Sequence, residues 1–182
     1  MKQVCVFCGS RSGFQPGHRA AAVALGQALA RRGLGLVYGG AASGLMGALA
    51  DAALQGGARV TGVMPAGLVD RECAHRGLSE LIITPDMHTR KARMGELADA
   101  FLALPGGLGT LDELFEILTW AQLGLHQKPV GLLNSGGYWD RLRAFLDQGR
   151  AEGFIADASL ELLHCDADPE GILDRLSAAS GA

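Results

Sequence analysis

The 182-residue sequence has few lysines, few aromatic residues, no excess of positive charge and no long apolar run. Its formal net charge is −3, so no general positive field is available to hold nucleic acid, and no nucleic-acid partner is expected. No stretch approaches the ~18 uninterrupted apolar residues of a membrane span, so no membrane partner is expected either. The first residues lack the layout of a signal peptide, which predicts a cytoplasmic location.

The cysteines, histidines and lysines are too few or too scattered to indicate a metal or a cofactor. No group of them has the spacing of metal ligands. Cys5 and Cys8 form a CxxC, but residues an odd number apart on a strand point to opposite faces, so these thiols should diverge and be buried as small apolar residues. The three lysines, Lys2, Lys91 and Lys128, give weak support for the Schiff base of pyridoxal phosphate. We therefore predict no metal and no cofactor.

Glycine is the residue type in excess, with 27 of 182 residues, about twice the usual ~7%. The glycines show no period of three, which excludes collagen. The apolar fraction of 48% and the charged fraction of 19% are typical of a globular protein. The length corresponds to about one domain, so a single domain is expected over residues 1–182.

Short apolar runs alternate with helical patterns along the chain. The runs are continuous, which is typical of strands buried on both faces of a parallel sheet. Strands are predicted at residues 4–8, 34–38, 60–64, 81–84, 101–104, 130–133 and, with a weaker pattern, 160–164. Helices are predicted at residues 18–32, 44–55, 87–98, 110–123, 138–152 and 169–178, and a longer loop at 65–77. This order predicts an α/β fold, a Rossmann-like doubly wound parallel sheet with helices on both faces.

Three glycine-containing loops are predicted at the carboxyl edge of this sheet, where doubly wound folds bind ligands. They are residues 8–13, 38–47 and 105–110. Each leads towards a helix start, where free backbone N–H groups and the helix dipole favour an anion. Tight turns would explain one such loop, but three at one edge favour a phosphate-bearing ligand.

Two familiar classes of phosphate-binding protein are disfavoured by what these loops contain. No G-x-G-x-x-G follows the first strand, and no G-x4-G-K-[ST] occurs anywhere. The second strand ends in Tyr38-Gly39-Gly40 and not in the acidic residue that would hold the ribose of NAD. A nicotinamide enzyme and a P-loop NTPase are therefore both disfavoured.

Two charged residues stand out as candidates for chemistry. Glu113 follows Thr110 in a T-x-x-E pattern, which describes a helix capping box but also puts a carboxylate beside the expected phosphate seat. Arg90 shares a helical face with Met87 and Met94, and an arginine in an apolar stripe needs a partner. That partner could be a carboxylate such as Glu113, or a phosphate or sugar of the ligand.

Residues 105–113 read PGGLGTLDE and match the pattern PGGxGTxxE. Together with Met87-His88-Thr89-Arg90-Lys91, they resemble the Lonely Guy (LOG) family of phosphoribohydrolases. The likeness runs from residue 4 to about residue 155. In the second glycine loop, Ala41 stands where many relatives carry a third glycine.

The resemblance implies a Rossmann-like homodimer that hydrolyses the N-glycosidic bond of adenosine 5′-monophosphate (AMP) or its N6-prenylated cytokinin relatives. The products would be the free base and ribose 5-phosphate. The family's catalytic arginine and glutamate fall on Arg90 and Glu113. The expected substrate-binding residues are Gly9, Ser10, Gly40, Ser43, Gly44, Gly47, Met87, Lys91, Gly106, Gly107, Leu108, Gly109, Thr110 and Glu116. Relatives are often labelled lysine decarboxylase, which the residues here do not support.

Three points remain open beside this interpretation. The predicted helix at residues 110–123 has apolar residues on most of its surface, which suits either a dimer interface or burial within its own domain. Glu116, one turn beyond Glu113, fits a substrate contact, a solvated residue or an interface residue. A non-catalytic nucleotide or molybdenum-cofactor carrier would have the same fold and glycine loops. Such a carrier would not need Glu113, so the presence of Arg90 and Glu113 at motif spacing favours the hydrolase.

Overall fold

The computed structural model describes residues 1–69 and 73–181. One sheet of seven parallel strands organises this part of the chain. Because helices cover both faces of the sheet, its central strands are buried on both sides, and they read as continuous apolar runs. The strands are β1 Gln3–Phe7, β2 Gly35–Tyr38, β3 Val60–Pro65, β4 Glu80–Thr84, β5 Ala100–Ala103, β6 Val130–Leu133 and β7 Leu163–Asp166.

The strand order is β4-β3-β2-β1-β5-β6-β7, so the direction of winding reverses between β1 and β5. These two neighbours pair in parallel, with Val4 opposite Ala100 and Phe7 opposite Ala103. In a doubly wound sheet, such a reversal leaves a crevice at the carboxyl ends of the strands. The predicted Rossmann-like α/β fold is confirmed, and its crevice is the expected place for a ligand.

Helices cover both faces of the sheet and enclose two apolar clusters. They are α1 Pro16–Arg31, α2 Gly44–Gln55, α3 Met87–Leu97, α4 Leu108–Gln122, α5 Asp140–Ala151, α6 Asp157–Glu161 and α7 Pro169–Ser180. On one face, α1, α2 and α7 contribute Leu25, Leu49 and Ile172 to the first cluster. On the other face, α3 and α4 contribute Met94 and Leu114 to the second. In the described ranges, no helix has the length and hydrophobicity needed to cross a bilayer.

The last strand begins later than the sequence predicts. The prediction of a strand at residues 160–164 is wrong over its first half, because α6 occupies Asp157–Glu161 and β7 begins at Leu163. Asp157 in the first turn complements the dipole of α6 and favours helix there. Pairing then places Leu163 opposite Val130 of β6. Register with the neighbouring strand, and not local hydrophobicity, decides where β7 starts.

The loop expected at residues 65–77 is shorter at its beginning. Strand β3 continues to Pro65, and a single 3-10 turn, Ala66–Leu68, follows it. Residues 70–72 of this predicted loop lie outside the described residues. Beyond them, Ala74 forms an isolated antiparallel bridge with Ala41, which ties this segment to the loop after β2.

The two cysteines of the CxxC lie on opposite faces of the sheet. Cys5 packs in the cluster of Met94, and Cys8 packs in the cluster of Leu25. Burial raises the pKa of both thiols, and the negative charge of Glu113 raises it further. The prediction of diverging, buried thiols is confirmed, and their raised pKa values keep them protonated and poorly nucleophilic.

Candidate active site

A cavity of about 780 Å³ lies at the reversal of the sheet, beyond the carboxyl ends of β1 and β5. The loop after β1 forms one wall, and the loop after β5 with the start of α4 forms the other. Arg90 and Met87 of α3, Leu45 and Met46 of α2, and Tyr138 of the loop after β6 also line it. The volume falls within the usual range of small-molecule sites.

The N-terminus of α4 opens into this cavity. The helix is preceded by Gly107 at its N-cap, and Leu108, Gly109 and Thr110 form its first turn. The N–H groups of a helix's first turn have no carbonyl acceptor within the helix, so these groups can bind an anion. Gly106 is required sterically, because a Cβ there would overlap the side chain of Thr110. This arrangement suits a phosphate group.

Arg90 and Glu113 form a buried ion pair across α3 and α4. Nη1 of Arg90 donates to Oε1 of Glu113 at 2.8 Å, and each side chain is only 7% exposed. Nε of Arg90 donates to the carbonyl of Val63 in β3 at 2.9 Å. Helix α3 is oriented by Asp86 at its N-cap, which accepts a hydrogen bond from the N–H of Thr89. The sequence left the partner of Arg90 open, and the structure provides Glu113.

The electrostatics of this pair depend on its burial. Burial raises the pKa of Glu113, and the nearby Arg90 guanidinium lowers it; the net direction is upward. A carboxylate whose pKa is raised towards neutrality is suited to take up and return a proton. Since Glu113 also lines the cavity, its carboxylate can reach a bound ligand.

Gly39 makes room for the arginine. A Cβ built at Gly39 would lie 2.5 Å from Nη2 of Arg90 and 3.0 Å from Sδ of Met46. Gly39 is buried at the end of β2, directly beside the guanidinium. Its function was not predicted, although the sequence places it in a glycine loop at the correct edge of the sheet.

The second glycine loop, residues 38–47, supports the first loop and does not point its helix at the cavity. The N–H groups of Leu45 and Met46, in the first turn of α2, donate to the carbonyl of Gly9 at 3.1 and 3.4 Å. Ser43 Oγ donates to the carbonyl of Ser10 at 3.3 Å. A Cβ at Gly44 would overlap the backbone of Ser10. The start of α2 is therefore occupied by protein groups, whereas the first turn of α4 lines the cavity.

Lys91 and Glu116 lie outside the cavity lining. Nζ of Lys91 is 3.1 Å from Oδ2 of Asp112 and 3.1 Å from Oε1 of Glu116, so it joins α3 to α4. Glu116 also lines a shallow groove on the surface of α4, together with Leu111, Phe115 and Trp120. In this structure Lys91 acts as a bridge between two carboxylates.

The expected site residues thus divide into two groups. Those that line the cavity are Gly9, Ser10, Met87, Arg90, Gly106, Gly107, Leu108, Gly109, Thr110 and Glu113. Those outside its lining are Gly40, Ser43, Gly44, Gly47, Lys91 and Glu116. Lining residues that sequence reasoning missed include Arg11, Phe14, His18 and Tyr138. Arg11 and Phe14 lie in or beside the first glycine loop and could have been found from that position, whereas nothing local marks Tyr138.

Within residues 1–69 and 73–181, no group of three or more histidine, cysteine, aspartate or glutamate side chains is placed to hold a metal ion. Among the described residues that line the cavity, Glu113 is the one carboxylate. Within the described lining, acid–base chemistry by a carboxylate therefore depends on Glu113.

Comparison with known proteins places the chain among enzymes. The family model described as "Possible lysine decarboxylase" matches residues 46–176. Cytokinin riboside 5′-monophosphate phosphoribohydrolase LOG7 of Arabidopsis thaliana is 50% identical over 162 residues, which cover 89% of this chain and 75% of that protein. The probable cytokinin riboside 5′-monophosphate phosphoribohydrolase LOG4 of Oryza sativa subsp. japonica is 48% identical over 181 residues, 99% of this chain and 78% of that protein.

Solved structures share the fold at lower identity. A molybdenum cofactor (Moco) carrier protein from Chlamydomonas reinhardtii superposes with a TM-score of 0.74 at 21% identity, over 99% of this chain and 98% of that one. The molybdenum cofactor binding protein of Rippkaea orientalis gives 0.73 at 24% identity, over 98% and 97%. At these identities the likeness is evidence for the fold alone. Because about half of its residues are identical to those of the plant proteins over most of its length, the chain belongs to the LOG family of cytokinin riboside 5′-monophosphate phosphoribohydrolases.

Proposed function

We propose that this protein hydrolyses the N-glycosidic bond of AMP or an N6-prenylated AMP, and releases the free base and ribose 5-phosphate. The observation that carries the proposal is the buried Arg90–Glu113 pair, which lines the same cavity as the free N-terminus of α4. A helix N-terminus can bind the phosphate, and a carboxylate can stabilise the positive charge that develops on the sugar. The names of the plant relatives describe the same reaction.

The 5′-phosphate is proposed to bind at the start of α4. The N–H groups of Leu108, Gly109 and Thr110 and the positive end of the helix dipole favour a dianion there. Ser10, in the opposite wall of the cavity, is within the lining and can add a hydroxyl contact. Energy from phosphate binding can then help to organise the reacting bond at the far end of the ribose.

Glu113 is proposed as the catalytic carboxylate. When the bond between the base and C1′ of the ribose breaks, positive charge develops on the sugar, and a carboxylate beside it stabilises that charge. The same carboxylate can accept a proton from the water that adds to C1′. Arg90 holds Glu113 in position, and its positive charge favours the ionised carboxylate against the effect of burial, which raises the pKa.

The departing base needs a proton, and the described lining holds no second carboxylate to donate it. In the overall reaction, the hydroxyl group of water adds to C1′, and the remaining proton of that water is transferred to the base. The proton that Glu113 takes from water can be returned to the base directly or through solvent. In the described lining, this arrangement differs from that of glycoside hydrolases that use a pair of carboxylates.

The carrier alternative has less support. It rests on structural likeness to proteins named as molybdenum cofactor carriers or binding proteins. That likeness is at less than 25% sequence identity and is evidence for the fold only. The relatives at 48–50% identity are named as hydrolases. A carrier would also have no need for a buried carboxylate facing its ligand.

A homodimer is proposed from the surface of α4. Leu111, Phe115 and Trp120 line its shallow groove, and Phe115 is 37% exposed although it is a large apolar residue. A second copy of the chain would cover this surface. Light scattering at micromolar concentration should give twice the chain mass, and a monomeric mass would argue against the dimer. The cytoplasmic location stays a prediction, which cell fractionation would test.

The hydrolase proposal is tested by product release. The purified protein is incubated with AMP and with isopentenyl-AMP, and the free base and ribose 5-phosphate are followed by chromatography. Release of both products from at least one substrate is expected. Tight binding of a nucleotide without any release from either substrate would favour a carrier and contradict the hydrolase.

A further inference from the structure

Tyr138 contacts the loop that precedes α4 through one hydrogen bond. Its hydroxyl donates to the carbonyl of Gly106 at 2.6 Å, a short distance for a bond of this kind. Tyr138 follows β6, whereas Gly106 follows β5, so the bond joins loops at the ends of two neighbouring strands. Both residues line the cavity.

The ring of Tyr138 is itself held in place. It packs edge-to-face against His18 of α1, with ring centroids 5.5 Å apart, and against Trp139, at 4.8 Å. The turn that carries it is closed by Asn134, whose side chain accepts from the N–H of Trp139 at 2.8 Å and donates to Asp140 at 2.7 Å. The phenol is therefore preorganised before any ligand binds.

Gly106 and Gly107 have no side chains that could limit the rotation of the peptide between them. Glycine has the largest conformational freedom of all residues, so a further contact helps to fix the orientation of this peptide. A peptide is planar and trans, and its C=O and N–H point in opposite directions. Fixing the carbonyl of Gly106 on Tyr138 thus also fixes the direction of the N–H of Gly107.

The orientation of this peptide matters for an anion. A carbonyl oxygen carries partial negative charge and would repel a phosphate at the start of α4 if it turned towards it. The hydroxyl of Tyr138 holds that oxygen by a hydrogen bond, and a chain of hydrogen bonds polarises the peptide so that its N–H becomes a better donor. The effect should be confined to ligands that carry a phosphate.

We propose that Tyr138 is a positioning residue that holds the Gly106–Gly107 peptide in the orientation needed to bind the 5′-phosphate. The proposal rests on the proposed function, since it takes a phosphate-bearing sugar as the ligand. Tyr138 acts through the peptide, since its hydroxyl donates to the carbonyl of Gly106 and not to Glu113. Its loss should therefore raise KM more than it lowers kcat.

The test compares Tyr138→Phe with the unmodified protein. The variant keeps the ring against His18 and removes only the hydroxyl. Calorimetry measures binding of ribose 5-phosphate, which carries the phosphate, and of adenosine, which lacks it; neither is consumed under the proposed reaction. The variant should bind ribose 5-phosphate roughly five- to tenfold more weakly, the usual scale for one lost hydrogen bond. Its adenosine affinity should be unchanged, and KM for AMP should rise by a similar factor with kcat nearly constant.

Ser180→Ala is the matched control. It also removes a hydroxyl that donates to a backbone carbonyl, that of Leu176 at 2.7 Å, but in the C-terminal helix. This control should bind both ligands and turn over as the unmodified protein does. Unchanged binding of ribose 5-phosphate by Tyr138→Phe would overturn the proposal, as would an equal loss for adenosine, which would indicate a general collapse of the cavity.

The outcomes separate the two proposals. Weakened ribose 5-phosphate binding in Tyr138→Phe, without base release by the unmodified protein, would support the positioning role and overturn the hydrolase. Base release with unchanged ribose 5-phosphate affinity in the variant would overturn the positioning role alone. If the unmodified protein bound no ribose 5-phosphate, the positioning role would be overturned, and base release from AMP would still decide the hydrolase proposal.

Discussion

Arg90 and Glu113 lie 23 positions apart in the sequence, yet Nη1 of the one is 2.8 Å from Oε1 of the other, with both side chains 7% exposed. The arginine is also bound to the carbonyl of Val63, so its position is set by the sheet as well as by the glutamate. Charges this deeply buried are costly unless they are paired and hydrogen-bonded. The two residues therefore form one unit, and a change to either one should affect the other.

Glu113→Gln should abolish most turnover while the fold is retained. The amide has the size of the carboxylate and can still accept a hydrogen bond from Arg90, but it cannot take a proton or balance charge on the sugar. We expect kcat to fall by about 10²–10⁴-fold, the usual contribution of a general base. The rate of base release from AMP is the measurement, with circular dichroism to check the fold.

The matched control is Glu96→Gln, an exposed glutamate of α3 that pairs with Arg93. It should retain full activity. A Glu113→Gln protein as active as this control would show that the catalytic assignment is wrong.

Arg90→Ala should destabilise the protein strongly. It leaves the Glu113 carboxylate buried without its partner, a change that typically costs about 3–5 kcal/mol. The free energy of unfolding, measured by urea denaturation, should fall by about that amount. Arg93→Ala removes an exposed arginine one turn along the same helix, from a pair that is worth about 0–1 kcal/mol. Equal losses for the two variants would contradict the picture of a buried, mutually dependent pair.

The rate should depend on pH through Glu113. Burial raises the pKa of this carboxyl, although Arg90 acts in the opposite direction. The proposed mechanism needs the ionised form of Glu113, so kcat/KM should be full at high pH and fall as the pH drops through the raised pKa. The midpoint of this acid limb should lie above about 4.3, the ordinary value of a glutamate. Initial rates between pH 4.5 and 8, on protein shown to stay folded, would check this. A rate that stays constant across that range, or rises towards acid, would argue against a base of raised pKa.

Gly39→Ala should disturb the ion pair without touching either charge. The added Cβ would lie 2.5 Å from Nη2 of Arg90, so the guanidinium must move or the strand must shift. We expect a loss of stability of about 1–3 kcal/mol, as for other overpacked sites, together with slower base release. Thermal unfolding and the rate on AMP measure the two effects. Gly17→Ala is the control, since a Cβ there meets nothing within 4 Å in α1. If both variants behaved alike, the close approach at Gly39 would have no functional importance.

Several features of this protein follow from the sequence alone. Continuous apolar runs alternate with helical patterns, and this predicts the parallel sheet because strands covered on both faces leave no room for polar residues. The pattern at residues 105–113 predicts the loop before α4 and places Glu113 near the start of that helix, because a glycine-rich turn into a helix is a local feature of the sequence. The resemblance also pointed to Arg90, although the sequence could not say which group it would meet.

Other features depend on contacts between distant segments, which no local pattern encodes. The carbonyl of Gly9 accepts hydrogen bonds from the N–H groups of Leu45 and Met46 at the start of α2. Through these bonds the second glycine loop supports the first. The start of β7 is decided by its register with β6.

Tyr138 reaches the cavity only because β6 lies beside β5. The sequence by itself determined the fold class and the chemical groups, since hydrophobic period and motif are local properties. The tertiary structure decided which groups meet, because the pairing of Arg90 with Glu113 requires α3, β3 and α4 to pack together before the buried charges can satisfy one another.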